Sequence, residues 1–302
     1  MINRQLRGIL WMLAGVFFMV CLDALVKWLS ARYSVYQVLF IRNSVAMGVV
    51  FILLAFRNQF GQLKTSRKGW HFVRSVLAFL LNFGFFYALA NQPLANVLAI
   101  TFIAPSLVAL LSILFLGERV DAWRWLAILV GLAGVWVILR PGSEAFHPAA
   151  LVVFVSTFLY AVVAVSSRLL SETENSISLT FYMLPVSIVA SGVMAPQVWV
   201  GPDIFDWTLL VCCGLFGLAG FWAITQAFRY APASVVSPFE YTSMIWAILL
   251  GYFLWSEVPD NYTLYGAGMV VLSSFLMTAR ERRAESKQLR EVRLKTTLEE
   301  PS

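Results

Sequence analysis

Apolar residues run through this chain in stretches of about twenty, the length that crosses a bilayer as a helix. Polar residues, prolines and glycines gather between the stretches. Setting runs against breaks predicts ten helices, over 8–28, 36–56, 70–90, 94–116, 122–140, 149–170, 177–195, 206–228, 233–255 and 262–279. The breaks carry recognisable stop chemistry, such as Arg57-Asn58-Gln59 through Lys68, Asn91-Gln92-Pro93, Arg140-Pro141-Gly142 and Gly201-Pro202-Asp203. The runs show no strict alternation, which favours helices over a membrane barrel. Several breaks are very short, so successive helices are antiparallel neighbours.

Composition fixes the class. Of 302 residues, 60% are hydrophobic and 13% charged, and mean hydropathy is +0.78. A soluble domain carries about twice that charged fraction, so the chain reads as an all-α integral membrane protein. The first run is longer than a signal peptide's apolar region, and no A-x-A site follows before Asp23 and Lys27, so it counts as the first span. Cys21, Cys212 and Cys213 all sit in apolar stretches, two of them adjacent, and read as small buried hydrophobes rather than a disulfide. His71 and His147 flank predicted helices with no ligand at metal-binding spacing, so no metal is assigned. The sequence contains no HExxH, Walker A, GxSxG or GxGxxG motif, and an enzyme or a cofactor is not expected.

Loop charge sets an orientation. With the N-terminus in the cytoplasm, that side holds Arg4, Arg7, Arg57, Lys64, Arg67, Lys68, Arg119, Arg124, Arg168 and Arg229. It also holds a tail over 281–302 with Arg282, Arg283, Lys287, Arg290, Arg293 and Lys295. The opposite side has Arg32 and Arg140, with Asp203, Asp206 and Asp260 as its acids. Both termini are therefore expected in the cytoplasm. The net charge of +6 is explained by this bias and by anionic lipid head groups, with no nucleic-acid partner.

The chain also repeats itself. Residues 86–120 and 227–259 each read as a Pro-containing turn, an apolar run and an acidic end. Aligning Glu118 with Glu257 places Pro93 on Pro232, Ala88 on Ala227 and Ala95 on Ser234 without a gap. Two units follow, 1–141 and 142–280. Five helices in each means the second unit enters the membrane from the opposite side, giving an inverted repeat. Such symmetry lets two halves exchange shapes, which is the basis of alternating access.

The strings PLANVLAITFIAPSLVALLSILFLGE and ASVVSPFEYTSMIWAILLGYFLWSE, with Gly131-x-x-Gly134 and Gly266-x-Gly268, resemble the paired EamA domains of the drug/metabolite transporter superfamily. The resemblance spans about 8 to 280. It implies ten helices around a central cavity lined mainly by the third, fourth, eighth and ninth, with parts of the first two and their repeat mates. It further implies a cargo drawn from amino acids, nucleosides, vitamins, sugars or drugs.

The repeat separates architecture from candidate chemistry. Glu118 and Glu257 match each other, as do Pro93 and Pro232. Lys27 matches Arg168 when Phe17 is set on Phe158, and snorkelling accounts for both. Three charged residues lack a charged twin: Asp23 aligns with Ala164, Arg42 with Met183 and Glu240 with Thr101. A charge inside a span costs about 2.5–3.5 kcal/mol on insertion scales, so it should face a partner or a water-filled cavity. Asp23, Lys27 and Arg42 lie at similar depth and are expected to form a charge network, either a structural bridge or a substrate-handling or gating one. Glu240 follows Pro238, which frees a carbonyl, and is a candidate for binding a cation or carrying a coupled proton. A neutral Glu240 bonded to Tyr241 or Arg229 is the structural alternative. Asn82, Tyr87, Asn96, Thr101, Tyr160, Phe221, Trp222, Gln226 and Tyr241 complete the candidate site, amides and aromatics suited to a planar or amphipathic solute. Gly214-x-x-Gly217-x-x-Gly220 reads as a close-packing seam.

The expected function is secondary-active movement of a small amphipathic or zwitterionic metabolite across a bacterial inner membrane. Export of amino acids or toxic metabolites is the alternative direction. A membrane receptor or lipid-handling protein is the alternative class.

Overall fold

A computed structural model of the chain describes residues 2–116, 122–141, 147–170, 174, 176–273 and 275–276. These residues form helices and connections, with no strand among them. The helices are α1 (Ile2–Leu29), α2 (Val35–Phe56), α3 (Lys68–Asn91), α4 (Leu94–Thr101), α5 (Ala104–Leu116), α6 (Ala122–Leu139) and α7 (Pro148–Leu170). They continue as α8 (Ser176–Phe181), α9 (Leu184–Met194), α10 (Ile204–Tyr230), α11 (Ala233–Val236) and α12 (Thr242–Trp255), followed by a helix over 261–273. Seven segments among the described residues are long and apolar enough to cross a membrane, and Trp125–Leu139 is a shorter apolar helix. The chain is a multi-pass membrane protein. Glu118, Arg119, the side chains of Arg124 and Arg168, and the tail over 281–302 lie outside the described residues.

Helix ends follow local chemistry. The Ser34 hydroxyl accepts from the Gln37 N–H at the start of α2, and the Asp203 carboxylate accepts from the Asp206 N–H at the start of α10. Three apolar runs are interrupted part-way: at Phe102–Ile103 between α4 and α5, at Tyr182–Met183 between α8 and α9, and over Ser237–Tyr241, a 3-10 turn between α11 and α12. In each case a proline (Pro105, Pro185 or Pro238) is the second residue of the element that follows. Proline lacks the N–H that would bond back four residues, so the helix stops and restarts with proline in its first turn. The sequence pattern draws 94–116, 177–195 and 233–255 as continuous helices, with irregular backbone expected only at Pro238. The same rule applied to Pro105 and Pro185 accounts for the two others.

Packing is pairwise and crosses the chain's midpoint. The long helices α1 and α10 lie along each other, as do α3 and α7, while α2 packs on α9 and α10 and α3 packs on α9. Small residues allow these approaches. A Cβ on Gly15 would lie 2.9 Å from the Ile224 nitrogen, and one on Gly220 would lie 3.2 Å from the Gly15 carbonyl. Between α6 and the 261–273 helix the approach is reciprocal. A Cβ on Gly134 would lie 2.8 Å from the Gly266 oxygen, and one on Gly266 would lie 2.6 Å from the Gly134 oxygen. Because the obstacle is backbone, Gly134→Leu is expected to cost at least about 1–3 kcal/mol by overpacking. A lowered melting temperature of the purified protein checks this, and an unchanged value counts against the seam.

Candidate functional site

Arg42 projects from α2 into the contact between α2 and α10. A Cβ on Gly217 would lie 3.5 Å from one of its Nη atoms and 3.7 Å from its Nε, ordinary van der Waals contact, so the guanidinium lies directly beside this glycine. The group sits over the Phe86 ring at 5.2 Å, a cation–π arrangement. Asp23 on α1, 7% exposed, and Cys213 on α10 are within electrostatic reach. Asp23 and Arg42 nevertheless form no ion pair within 4 Å, so the guanidinium keeps its donors uncommitted to a carboxylate among the described residues. In the seam, Gly214 packs tightly on Val45 and the Arg42 carbonyl and Gly220 on Met19, while Gly217 lies in ordinary contact with the arginine side chain.

Lys27 departs from the expected network. Its ammonium pairs with Glu257 and donates to the Gln92 carbonyl at 2.6 Å, with Trp255 beneath it at 5.2 Å. The other Glu257 oxygen accepts from the Leu94 N–H at 3.0 Å, capping α4. A lysine side chain reaches several ångströms past its own turn, and the carboxylate at the end of α12 with an orphan carbonyl at Gln92 offers it more than Asp23 does. The same end of the bundle carries Arg32 with Asp206, Tyr33 donating to Asp206, Arg140 with Asp260, and Gln37 bonded twice to the Val200 backbone.

Glu240 lies in the Ser237–Tyr241 turn, where the backbone is not α-helical. Its side chain is accessible to solvent yet closely surrounded by protein, as is Tyr160 on α7, and the two interact electrostatically. Among the described residues no ion pair joins Glu240 to Arg229, one partner of the structural alternative.

The other candidates divide. Tyr241 packs edge-on against Phe102 and stacks on Phe275, beside the Glu240 turn. Thr101 borders the α4–α5 break and bonds to the Leu98 carbonyl. Trp222 packs edge-on against Trp11 at 4.9 Å, close to a hollow of ≈ 300 Å³ lined by Arg7, Leu10 and Trp11. That hollow lies about 18 Å along α1 from Asp23, at a rise of about 1.5 Å per residue. Phe221 is exposed and Gln226 half-buried on the same helix. Asn82 spends its amide on the Ala78 carbonyl, and Tyr87 is exposed on α3. Asn96 accepts from Thr263 at 3.0 Å, which places it in the contact between α4 and the last helix rather than beside Arg42.

Two buried groups escape the sequence reading. Arg74 on α3 is 2% exposed. Its Nε donates to Ser166 at 3.2 Å, one Nη contacts Ser167 and the Met183 sulfur, and the other Nη has no partner. One turn away, His71 is buried against the Tyr182 ring, its Nε2 3.4 Å from the Glu174 carboxylate. Arg74 falls near the start of a run and looks like a flanking charge. Its lack of a charged twin is the available signal, since the Ala88–Ala227 alignment sets it on Cys213.

Two carboxyls outside the spans are held below their ordinary range. Thr65 donates to Glu174 at 2.6 Å and lowers it; burial opposes, and His71 and Ser178 lower it further. Burial would raise Asp260, but hydrogen bonds from Arg140 and Thr263 outweigh it. A carboxyl depressed on folding stabilises the protein above its unfolded value, about 4, and that contribution fades as pH falls through the folded value. The melting temperature is therefore expected to fall on acidification below about pH 4. Asp260→Asn should flatten that limb, and an unaltered acid profile would remove the assignment.

The EamA-like transporter family matches residues 6–140 and again 147–279. The chain is 28% identical over 287 residues to the S-adenosylmethionine uptake transporter of Rickettsia felis, covering 95% of this chain and 97% of that one. It is 30% identical over 275 residues to the pseudopaline exporter CntI of Pseudomonas aeruginosa, covering 90% and 95%. It is 27% identical over 280 residues to the riboflavin transporter of Vibrio cholerae, covering 91% and 94%. A solved crystal structure at 19% identity superposes with a TM-score of 0.62, covering 92% of this chain and 98% of that one.

Proposed function

The chain belongs to the EamA-like transporter family, and from that premise we propose that it carries a small amphipathic or zwitterionic metabolite across a bacterial inner membrane by alternating access. Ten spans form two inverted five-helix halves, 1–141 and 142–280, with both termini cytoplasmic. The Lys27 end is then periplasmic. The solute's anionic group is held at Arg42 with Asp23 nearby, and its cationic group, or a coupled proton, at Glu240.

One observation carries this reading. Arg42 on α2 and Glu240 in the turn before α12 are charges within apolar segments, neither committed to an ion pair among the described residues, one lying beside Gly217 and the other at the Pro238 break. Groups so costly to bury are retained where a ligand or an ion completes them. The relatives add support, since those named for S-adenosylmethionine, pseudopaline and riboflavin all handle small organic solutes. The inverted halves are supported by equivalent helix pairings, α1 with α10 and α7 with α3.

The test is a thermal-shift screen of purified protein against a metabolite library containing S-adenosylmethionine and riboflavin, followed by flux of each hit into proteoliposomes. Saturable, protein-dependent flux of at least one hit is expected. Proteoliposomes that move none of them contradict the reading. If Glu240 carries a proton, flux responds to an imposed pH gradient in the wild type and not in Glu240→Gln.

A further inference from the structure

Arg42 and Arg74 occupy exchanged places in one contact. The repeat alignment sets Arg42 on Met183, Val45 on Val186, Arg74 on Cys213 and Ser75 on Gly214. In one half, Arg42 lies near Cys213, and Gly214 abuts Val45 and the Arg42 carbonyl. In the other, Arg74 contacts the Met183 sulfur, while Ser75 donates to the Met183 carbonyl and accepts from the Val186 N–H, both at 3.3 Å. The same helix crossing is built twice, with arginine and sulfur residue swapped between its two sides. Arg42 lies about 10 Å into α2 from the Lys27 end, and Arg74 about 9 Å into α3 from the other.

Arg74 is also incomplete. Its described partners are two serine hydroxyls and a thioether, all neutral, and one Nη has none. Both hydroxyls already donate to the Val163 carbonyl, so they offer lone pairs but no compensating charge. A buried guanidinium without a counter-charge is unfavourable by several kcal/mol, which an anion would offset. Its planar fork matches a carboxylate or phosphate in two parallel hydrogen bonds.

We infer that Arg74 is a second oxyanion station, the inward-side counterpart of Arg42, which receives the carboxylate or phosphate group of the solute when the halves exchange shape. This rests on the inverted-repeat transporter reading above. The two stations differ in depth by about 11 Å, given a hydrocarbon core of about 30 Å, a step that a small solute can make within one cavity. Arg74 then contributes to the solute's release or entry on the cytoplasmic side, and Arg42 to the periplasmic side.

The test uses the full-length purified protein in low-salt buffer. Sodium acetate, inorganic phosphate or sodium chloride is titrated at matched ionic strength while the melting temperature is followed. Acetate or phosphate is expected to raise it saturably where chloride does not. Arg74→Gln should weaken that saturable response about tenfold, and Arg42→Gln should weaken it independently. Should Arg74→Gln fail to fold, Arg74→Lys keeps the charge but loses the fork, and the same weakening is expected. A response undiminished in the Arg74 variants overturns the second station. If Arg42→Gln alone diminishes it, the transporter reading stands without the inner site. If neither variant does, the Arg42 assignment fails as well. An equal response to chloride identifies a resident structural counter-ion or mere screening, and overturns a solute station.

Discussion

Arg42→Ala is expected to lower solute flux by roughly tenfold to a hundredfold while leaving the melting temperature equal or higher. The first expectation follows from the energy of a hydrogen bond to a charged group, about 1.5–3 kcal/mol. The second follows from the surroundings of the guanidinium. It makes no ion pair within 4 Å among the described residues, and it lies beside Gly217 and over the Phe86 ring. Removing it deletes a buried charge rather than breaking a bonded pair, and lifts the desolvation cost that charge imposes. A structural Asp23–Arg42 bridge behaves oppositely: loss of one partner would strand the other and lower stability by about 3–5 kcal/mol. Flux and melting temperature measured on one preparation separate the two. Lost stability with flux retained per folded molecule would make Arg42 architectural.

The second large effect lies at the Lys27 end of the bundle. Lys27→Met is expected to lower stability by about 3 kcal/mol, because it strands the Glu257 carboxylate with only the Leu94 N–H for company. Glu257→Gln leaves the ammonium on the Gln92 carbonyl and should cost less. The double variant Lys27→Met with Glu257→Gln should recover part of the loss, since no buried charge is then left alone. A double-mutant cycle on melting measures this coupling. Strictly additive losses would mean that the pair is not energetically linked. Because Lys27 lies in the first half and Glu257 in the second, the pair also bolts the halves together at this end. On the proposed orientation, a broken bolt should favour the outward-open shape and raise exchange of label from the periplasmic side.

How much of this was legible beforehand depends on which physical signal each feature leaves. The apolar runs placed the long helices well, with α2 at Val35–Phe56 against 36–56 and α10 at Ile204–Tyr230 against 206–228. Apolar periodicity is blind to backbone breaks inside a run, and only the prolines at 105, 185 and 238 betray them. Asp23, Arg42 and Glu240 stand out as candidates because each is a charge without a charged twin. Arg74 meets the same criterion, but closeness to a helix end disguised it as a flanking basic residue. Lys27 was misplaced for another reason. Its partner, Glu257, lies 230 residues away in the chain, and long-range pairing leaves no trace in local pattern. The His71–Glu174 contact was hidden likewise, since metal-type spacing rules look only a few residues along.

In the proposed mechanism two halves exchange shapes about a shared site. Distances between spin labels test this directly, in a background where Cys21, Cys212 and Cys213 are replaced. One pair at Asn91 and Gly201 spans the Lys27 end, and one at Gly61 and Arg229 spans the other; all four positions are exposed. Two distance populations are predicted for each pair, so that one end lengthens as the other shortens when a transported solute or an imposed gradient is added. A single fixed distance at both ends, or two ends that open together, would contradict alternating access.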